Sequence, residues 1–182
     1  MKRIFIALAL DDATKAGLDK LQRLISPLIK KGRFVPPSLF HLTLQFLGEL
    51  EDEEVLRLHA WEPQWVQELS PFSLTINHTG CFQKRNRWVL WAGIENNPDL
   101  EQLAALVHAS FKKQGFVNHH PFRPHITLAR EVQFESVDKR LAYEATKVDL
   151  PPVNVDGIHM MESTRLEGKL QYQSLKKYQF GG

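Results

Sequence analysis

Apolar and polar residues follow two rhythms along this chain, and the rhythms divide it into elements. Residues 3–10, Arg-Ile-Phe-Ile-Ala-Leu-Ala-Leu, are an apolar run of the length of a buried strand. Asp11 or Asp12 can cap the helix that follows. There Leu18, Leu21, Leu24, Ile25, Leu28 and Ile29 fall on one helical face, with a kink or a narrowed last turn expected at Pro27 and a stop at Lys30-Lys31-Gly32. Val35-Pro36-Pro37 reads as an extended approach to a strand over 40–47, and Gly48 as the opening of a turn. A helix with acidic residues in its first turn is predicted from Glu51 to about Glu62, stopped by Pro63. Phe72, Leu74 and Ile76 alternate with polar residues, the mark of a half-buried strand.

Residues 80–87 read as a basic turn and 88–94 as the next strand. Asn97-Pro98 is a cap followed by proline at the first helical position. Leu100, Leu103, Ala104, Val107 and Phe111 form the buried face of that helix, and Gly115 ends it. Residues 119–124, His-His-Pro-Phe-Arg-Pro, read as a rigid approach to a strand over 125–130. Residues 131–149 have no dominant rhythm, and two more strands are predicted over 153–161 and 172–180. The mixture predicts an α+β fold with antiparallel sheets lining a central cleft and helices outside.

A short pattern occurs twice: His41-Leu42-Thr43-Leu44 and His125-Ile126-Thr127-Leu128. On a strand, His and Thr point to one face and the apolar residues to the other. Sliding the chain on itself by the 84 residues from His41 to His125 also lays 3–10 over 87–94 and Pro37 over Pro121. Such self-similarity predicts one domain, residues 1–182, made of two lobes related by a pseudo-two-fold axis. Two His and two Thr would then line one cleft.

Composition changes this picture little. With 182 residues, 43% apolar and 24% charged, the chain is ordinary for a globular protein. Its formal charge of +2 neither demands nor excludes a nucleic-acid partner. The single Cys81 reads as an apolar filler, and a reducing cytoplasm is the expected location. The run of residues 4–10 is too short for a membrane span, so no membrane is expected, and a monomer is the expected state.

Histidine is the side chain that serves as both acid and base near neutrality. Two of them across a cleft can take a proton from an attacking oxygen and give one to a leaving oxygen. Threonine hydroxyls, stiff at χ1, suit phosphate oxygens. There is no Walker loop, dinucleotide turn, paired-cysteine zinc motif or HExxH helix, so no metal and no cofactor is implied.

HLTLQFLGEL (41–50) and PFRPHITLAR (121–130) resemble the paired motifs of the 2H phosphoesterases. Within them the chain resembles the RNA 2′,3′-cyclic phosphodiesterases, or 2′-5′ RNA ligases of LigT type. The resemblance extends to RIFIALAL, VLWAGI and the closing ESTRLEGKLQYQSL, with its Ser…Tyr-x-x-Leu ending. Ser38-Leu39-Phe40 stands where the family often has Glu-Asn-Leu. The resemblance implies metal-free hydrolysis of a 2′,3′-cyclic phosphate, on RNA ends or small nucleotides, to a 2′-phosphate. His41 would match the proton donor, His125 the proton acceptor, and Thr43 and Thr127 the phosphoryl-binding hydroxyls. The pseudo-symmetry leaves the two histidine roles interchangeable from sequence alone.

Arg130 lies at the end of its strand on the wrong parity for the His face, unless a bulge intervenes. Phe40 and Phe122 flank the motifs and offer either base stacking or core packing. Lys84, Arg85 and Arg87 offer either RNA backbone contacts or a solvated turn. The other histidines read as structural or exposed. Two alternatives stand beside this reading: a metal-dependent phosphodiesterase using several of the eight His, and a non-catalytic RNA-end binding protein.

Overall fold

The computed structural model describes residues 1–117 and 121–182. His119 and His120, read above as part of a rigid approach and as exposed, lie outside the described residues. Two four-stranded antiparallel sheets carry the fold. The first has the order β10-β9-β1-β3, built from β1 (Lys2–Ala9), β3 (His41–Leu50), β9 (Gly157–Leu166) and β10 (Lys169–Gln179). The second has the order β2-β7-β6-β5, built from β2 (Ile29–Phe34), β5 (Ile76–Lys84), β6 (Arg87–Ile94) and β7 (His125–Phe134). A small pair joins β4 (Phe72–Leu74) to β8 (Val153–Val155). Among the described residues five α-helices complete it: α1 (Asp12–Ile25), α2 (Asp52–His59), α3 (Trp65–Glu68), α4 (Pro98–Lys112) and α5 (Val137–Glu144).

The two motif strands sit in equivalent frames, residue for residue. In the first sheet Ala9 pairs with His41, Leu8 with Leu42, Ala7 with Thr43, Ile6 with Gln45 and Ile4 with Gly48. In the second, Gly93 pairs with His125, Ala92 with Ile126, Trp91 with Thr127, Leu90 with Ala129 and Trp88 with Val132. Every one of these partners differs from its counterpart by the same 84 positions, including the skipped residues, Leu44 and Leu128. Each skip is a β-bulge, which reverses side-chain parity beyond it. Leu44 and Gln45 are accordingly both buried, as are Leu128 and Ala129.

The helices cross over. α1 leaves β1 of the first sheet, yet Gln22 Nε2 donates to the carbonyls of Leu128 (2.7 Å) and Val35 (2.8 Å) beside the second. α4 leaves β6 of the second sheet, yet His108 Nε2 donates to the Leu44 carbonyl of the first (2.9 Å). Each bulge therefore has its carbonyl held by a helix of the other half. One continuous apolar core, with Ile6, Leu42, Leu90, Ile126 and Phe111 at its centre, spans both halves.

Several elements differ from expectation. α1 ends at Ile25, Ser26–Leu28 form a single 3-10 turn containing Pro27, and Lys30–Gly32 belong to strand β2 instead of a helix stop. Pro37–Leu39 form another 3-10 turn. Gly48 does not open a turn: with φ of 89° it sits in a bulge, and β3 runs on to Leu50. α2 ends at His59, short of Pro63. The alternating stretch around Phe72 splits between two sheets, and the basic turn shrinks to Arg85-Asn86 because β5 and β6 extend into a tight hairpin. Residues without a rhythm, 131–149, contain the end of β7 and the short α5.

Candidate active site

The cleft lies where β3 and β7 face one another. His41 and His125 are held alike: Nδ1 donates to the carbonyl two residues back, Leu39 for one and Arg123 for the other, each at 2.7 Å. A carbonyl only accepts, so Nδ1 carries the hydrogen and Nε2 is the atom that faces exchange with a ligand. His41 Nε2 accepts from the Thr43 hydroxyl at 3.0 Å. Aromatic rings fix both imidazoles: Phe5 and Tyr172 each at 5.0 Å from His41, and Phe82 edge-on at 5.0 Å from His125.

Burial is the main cause holding both imidazoles below their usual pKa, opposed by the backbone carbonyls that accept from Nδ1. The guanidinium of Arg130 lowers both further, and His125 adds to the effect on His41. Arg130 thus acts on both histidines at once. The bulge at Leu128 is the reason, since it returns Arg130 to the face of His125 and Thr127.

Two adjoining cavities share His41, Arg130, Arg165, Leu170 and Tyr172. One, of about 610 Å³, adds Phe5, Phe46, Arg3, Glu49, Ser163 and Thr164. The other, of about 500 Å³, adds Thr127, Arg33, Phe34 and Lys169. His125 lines neither, so the two imidazoles differ in what surrounds them.

Among the predicted residues, the fold brings His41, Thr43, His125, Thr127 and Arg130 to this cleft. Phe40 does not face it. At 3% exposure it lies in the core on the same side of the strand as Leu42, which corrects the stacking alternative. Phe122 also lines neither cavity and instead packs on the core, edge-on to His108 at 5.9 Å. Lys84, Arg85 and Arg87 sit at the β5–β6 hairpin, also outside the cavity walls. Cys81 donates to Glu144, and burial with that carboxylate pushes its thiol up to about 12. Among the described residues, no three His, Cys, Asp or Glu side chains converge as metal ligands.

Phe46, 57% exposed on the cleft wall, was not anticipated. Plain alternation sends it to the core, and the bulge at Leu44 turns it out. The repeat frame contained the signal, since Leu44-Gln45-Phe46 overlays Leu128-Ala129-Arg130.

This duplicated α+β fold, with two histidines, two threonines and an arginine at its cleft, is shared with phosphodiesterases. The chain belongs to the 2′-5′ RNA ligase superfamily, whose family model matches residues 10–167. It is 28% identical over 186 aligned residues to an RNA 2′,3′-cyclic phosphodiesterase of Thermotoga maritima, covering 99% of this chain and 96% of the relative. It is 32% identical to one of Escherichia coli, covering 81% of this chain and 79% of the relative. The crystal structure of E. coli LigT complexed with 3′-AMP superimposes with a TM-score of 0.72 at 26% identity, covering 98% of this chain and 97% of that one. Among the described residues no helix is long and apolar enough to cross a membrane.

Proposed function

We propose that this protein opens 2′,3′-cyclic phosphates, on RNA ends or small nucleotides, to 2′-phosphates without a metal ion. The observation that supports the reading is the effect of the Arg130 charge on both imidazoles, each held through Nδ1, with Nε2 of His125 available to a ligand and Nε2 of His41 available once the Thr43 hydroxyl turns to the phosphate. A phosphoryl group beside that guanidinium would have a histidine on either side, as in-line displacement requires.

His125 Nε2 takes a proton from water as the water oxygen bonds to phosphorus. The bond from phosphorus to the 3′-oxygen breaks, and His41 Nε2–H protonates that oxygen as it leaves. Thr43 and Thr127 donate to the non-bridging oxygens, and Arg130 offsets their charge. The asymmetry of the cleft supports this order of roles. His41 lines both cavities, where a nucleoside has room, and His125 lines neither. The exposed Phe46 and the Tyr172 ring offer flat surfaces to the terminal base. The names of the relatives and the 3′-AMP held by E. coli LigT support a nucleotide ligand. A 5′-hydroxyl in place of water would form a 2′-5′ linkage by the same proton transfers, the reverse of cleaving one, and the family's name supports that second use.

The test is digestion of an oligonucleotide ending in a 2′,3′-cyclic phosphate, in excess EDTA, with products assigned by phosphorus NMR. A single 2′-phosphate product is expected. A mixture of 2′- and 3′-phosphates, or activity abolished by EDTA and restored by zinc or manganese, would overturn the mechanism. Binding without conversion would favour the RNA-end binding protein. The pH profile of kcat/KM should be a bell bounded by two macroscopic pKa values. A bound phosphate should raise the pKa of the acid, so the kcat profile extends further to the alkaline side.

A further inference from the structure

The smaller cavity carries more positive charge than a terminal cyclic phosphate can use. Arg33, Arg130, Arg165 and Lys169 all line it, and no carboxylate does. Among the described residues none of the four forms an ion pair. Arg33 and Arg130 are also direct cross-strand partners on β2 and β7. Like charges in that position are destabilising by themselves, which points to an anion that bridges them. Arg165 is pre-set, since its Nη1 donates to the Gly168 carbonyl at the tip of the β9–β10 hairpin (3.0 Å). A cyclic phosphate bears one negative charge, and Arg130 already answers it. Arg33, Arg165 and Lys169 are left over.

We propose that Arg33, Arg165 and Lys169 form a subsite for the phosphodiesters that precede the terminal nucleotide of a single-stranded RNA. The inference rests on the reading above for where the terminal phosphate sits, and it selects the RNA chain end over the free cyclic nucleotide as the ligand the cleft is built for. The chain leaves the His41 region through the smaller cavity, between the edge strand β2 and the β9–β10 hairpin. Beside Arg33, the ring of Phe34 is 37% exposed and also lines this cavity, giving the preceding base a surface on which to stack. β2 is suited to the task. It is the outer strand of its sheet, and after Ile29 all its residues are exposed. Its Lys30, Lys31 and Arg33 follow the usual way of protecting a sheet edge with charge, and the same charges can hold a polyanion.

The experiment compares ligands that differ only in length. Affinities are measured for 2′-AMP and for an RNA trinucleotide ending in a 2′-phosphate, so that turnover is not required. In parallel, kcat/KM is measured for the matching cyclic phosphates. The wild type should favour the trinucleotide in both. The double variant R33Q/K169Q should lower that preference by roughly two- to fivefold per cation, the range for an exposed ion pair. The slope of log affinity for the trinucleotide against log salt should become shallower by about 0.7 for each phosphate contact removed. Arg165→Gln added to the pair should carry the ratio of the two ligands close to one. Equal affinity of the wild type for both ligands, or a length preference that survives all three substitutions, would overturn the subsite. Length-dependent binding without hydrolysis would instead sink the catalytic reading and leave the subsite standing.

Discussion

Replacing Arg130 with glutamine should have two separable effects, because its charge reaches both histidines as well as the cavity. The first is on the rate. A hydrogen bond to a charged group contributes about 1.5–3 kcal/mol, so losing it at the phosphate should lower kcat/KM by roughly 10- to 150-fold. The second is on titration. Burial keeps both imidazoles below their usual pKa, and Arg130 lowers them further. Removing the cation therefore raises both, although burial still holds them down. A base is lost when it becomes protonated, so a raised pKa for His125 moves the acidic limb of the kcat/KM profile to higher pH. Arg130→Lys separates the two effects. It keeps the charge and hence the limb, but gives up the planar fork and part of the rate. The assay is a pH series on 2′,3′-cyclic AMP, beside NMR titration of the histidine ring protons in the free protein. Glutamine and wild-type proteins with the same histidine titrations would refute the action of Arg130 on both imidazoles, whatever happens to the rate.

His41→Ala and His125→Ala should each reduce kcat by about 10²–10⁴, with the double variant little worse than either, as steady-state kinetics on the same substrate would show. Thr127→Val should lose about 1.5–3 kcal/mol of transition-state stabilisation. Thr43→Val should lose a similar amount, and its pH profile should shift where that of Thr127→Val does not, because in the free protein the Thr43 hydroxyl donates to His41 Nε2. Gln22→Met removes two hydrogen bonds from a residue only 6% exposed. The cost should be about 2 kcal/mol, or roughly 4–8 °C in melting temperature, and kcat/KM should fall further than for a substitution of equal stability cost distant from the bulge.

The parts of this protein legible in its sequence are those set by local periodicity and by the repeat. The β1 and β6 strands, α4 with its Asn97 cap, and both His-x-Thr segments follow from alternation, capping and the 84-residue frame. Phe46 and Arg130 were illegible to alternation alone, because parity is counted from the start of a strand and one skipped residue reverses it. Strand β2 was hidden for another reason. Lys30-Lys31-Gly32-Arg33 has no apolar face, since an edge strand needs partners on one side only and here turns charge to solvent. Arg165 and Lys169 come to the cleft from a hairpin more than a hundred residues beyond His41, a proximity that only the pairing of β9 with β1 creates.

The bulges explain how a duplicated frame supports an asymmetric reaction. A bulge leaves a carbonyl outside the regular ladder, and a buried carbonyl without a donor is costly. Here a helix of the opposite half adds a side-chain donor at each, Gln22 for Leu128, whose carbonyl also accepts from the Val35 N–H, and His108 for Leu44. The crossed helices thus tie the two halves into one unit at the points where parity reverses. Beyond each bulge the two copies diverge. One projects an aromatic ring, Phe46, and the other a guanidinium, Arg130, from corresponding positions. The histidines and threonines remain matched, as the proposed proton exchange and phosphate binding on two sides of one group require. In the proposed mechanism the residues that tell base from phosphate occupy the first cleft-facing position after the bulge, where a substitution in one copy alters the cleft without disturbing the shared core.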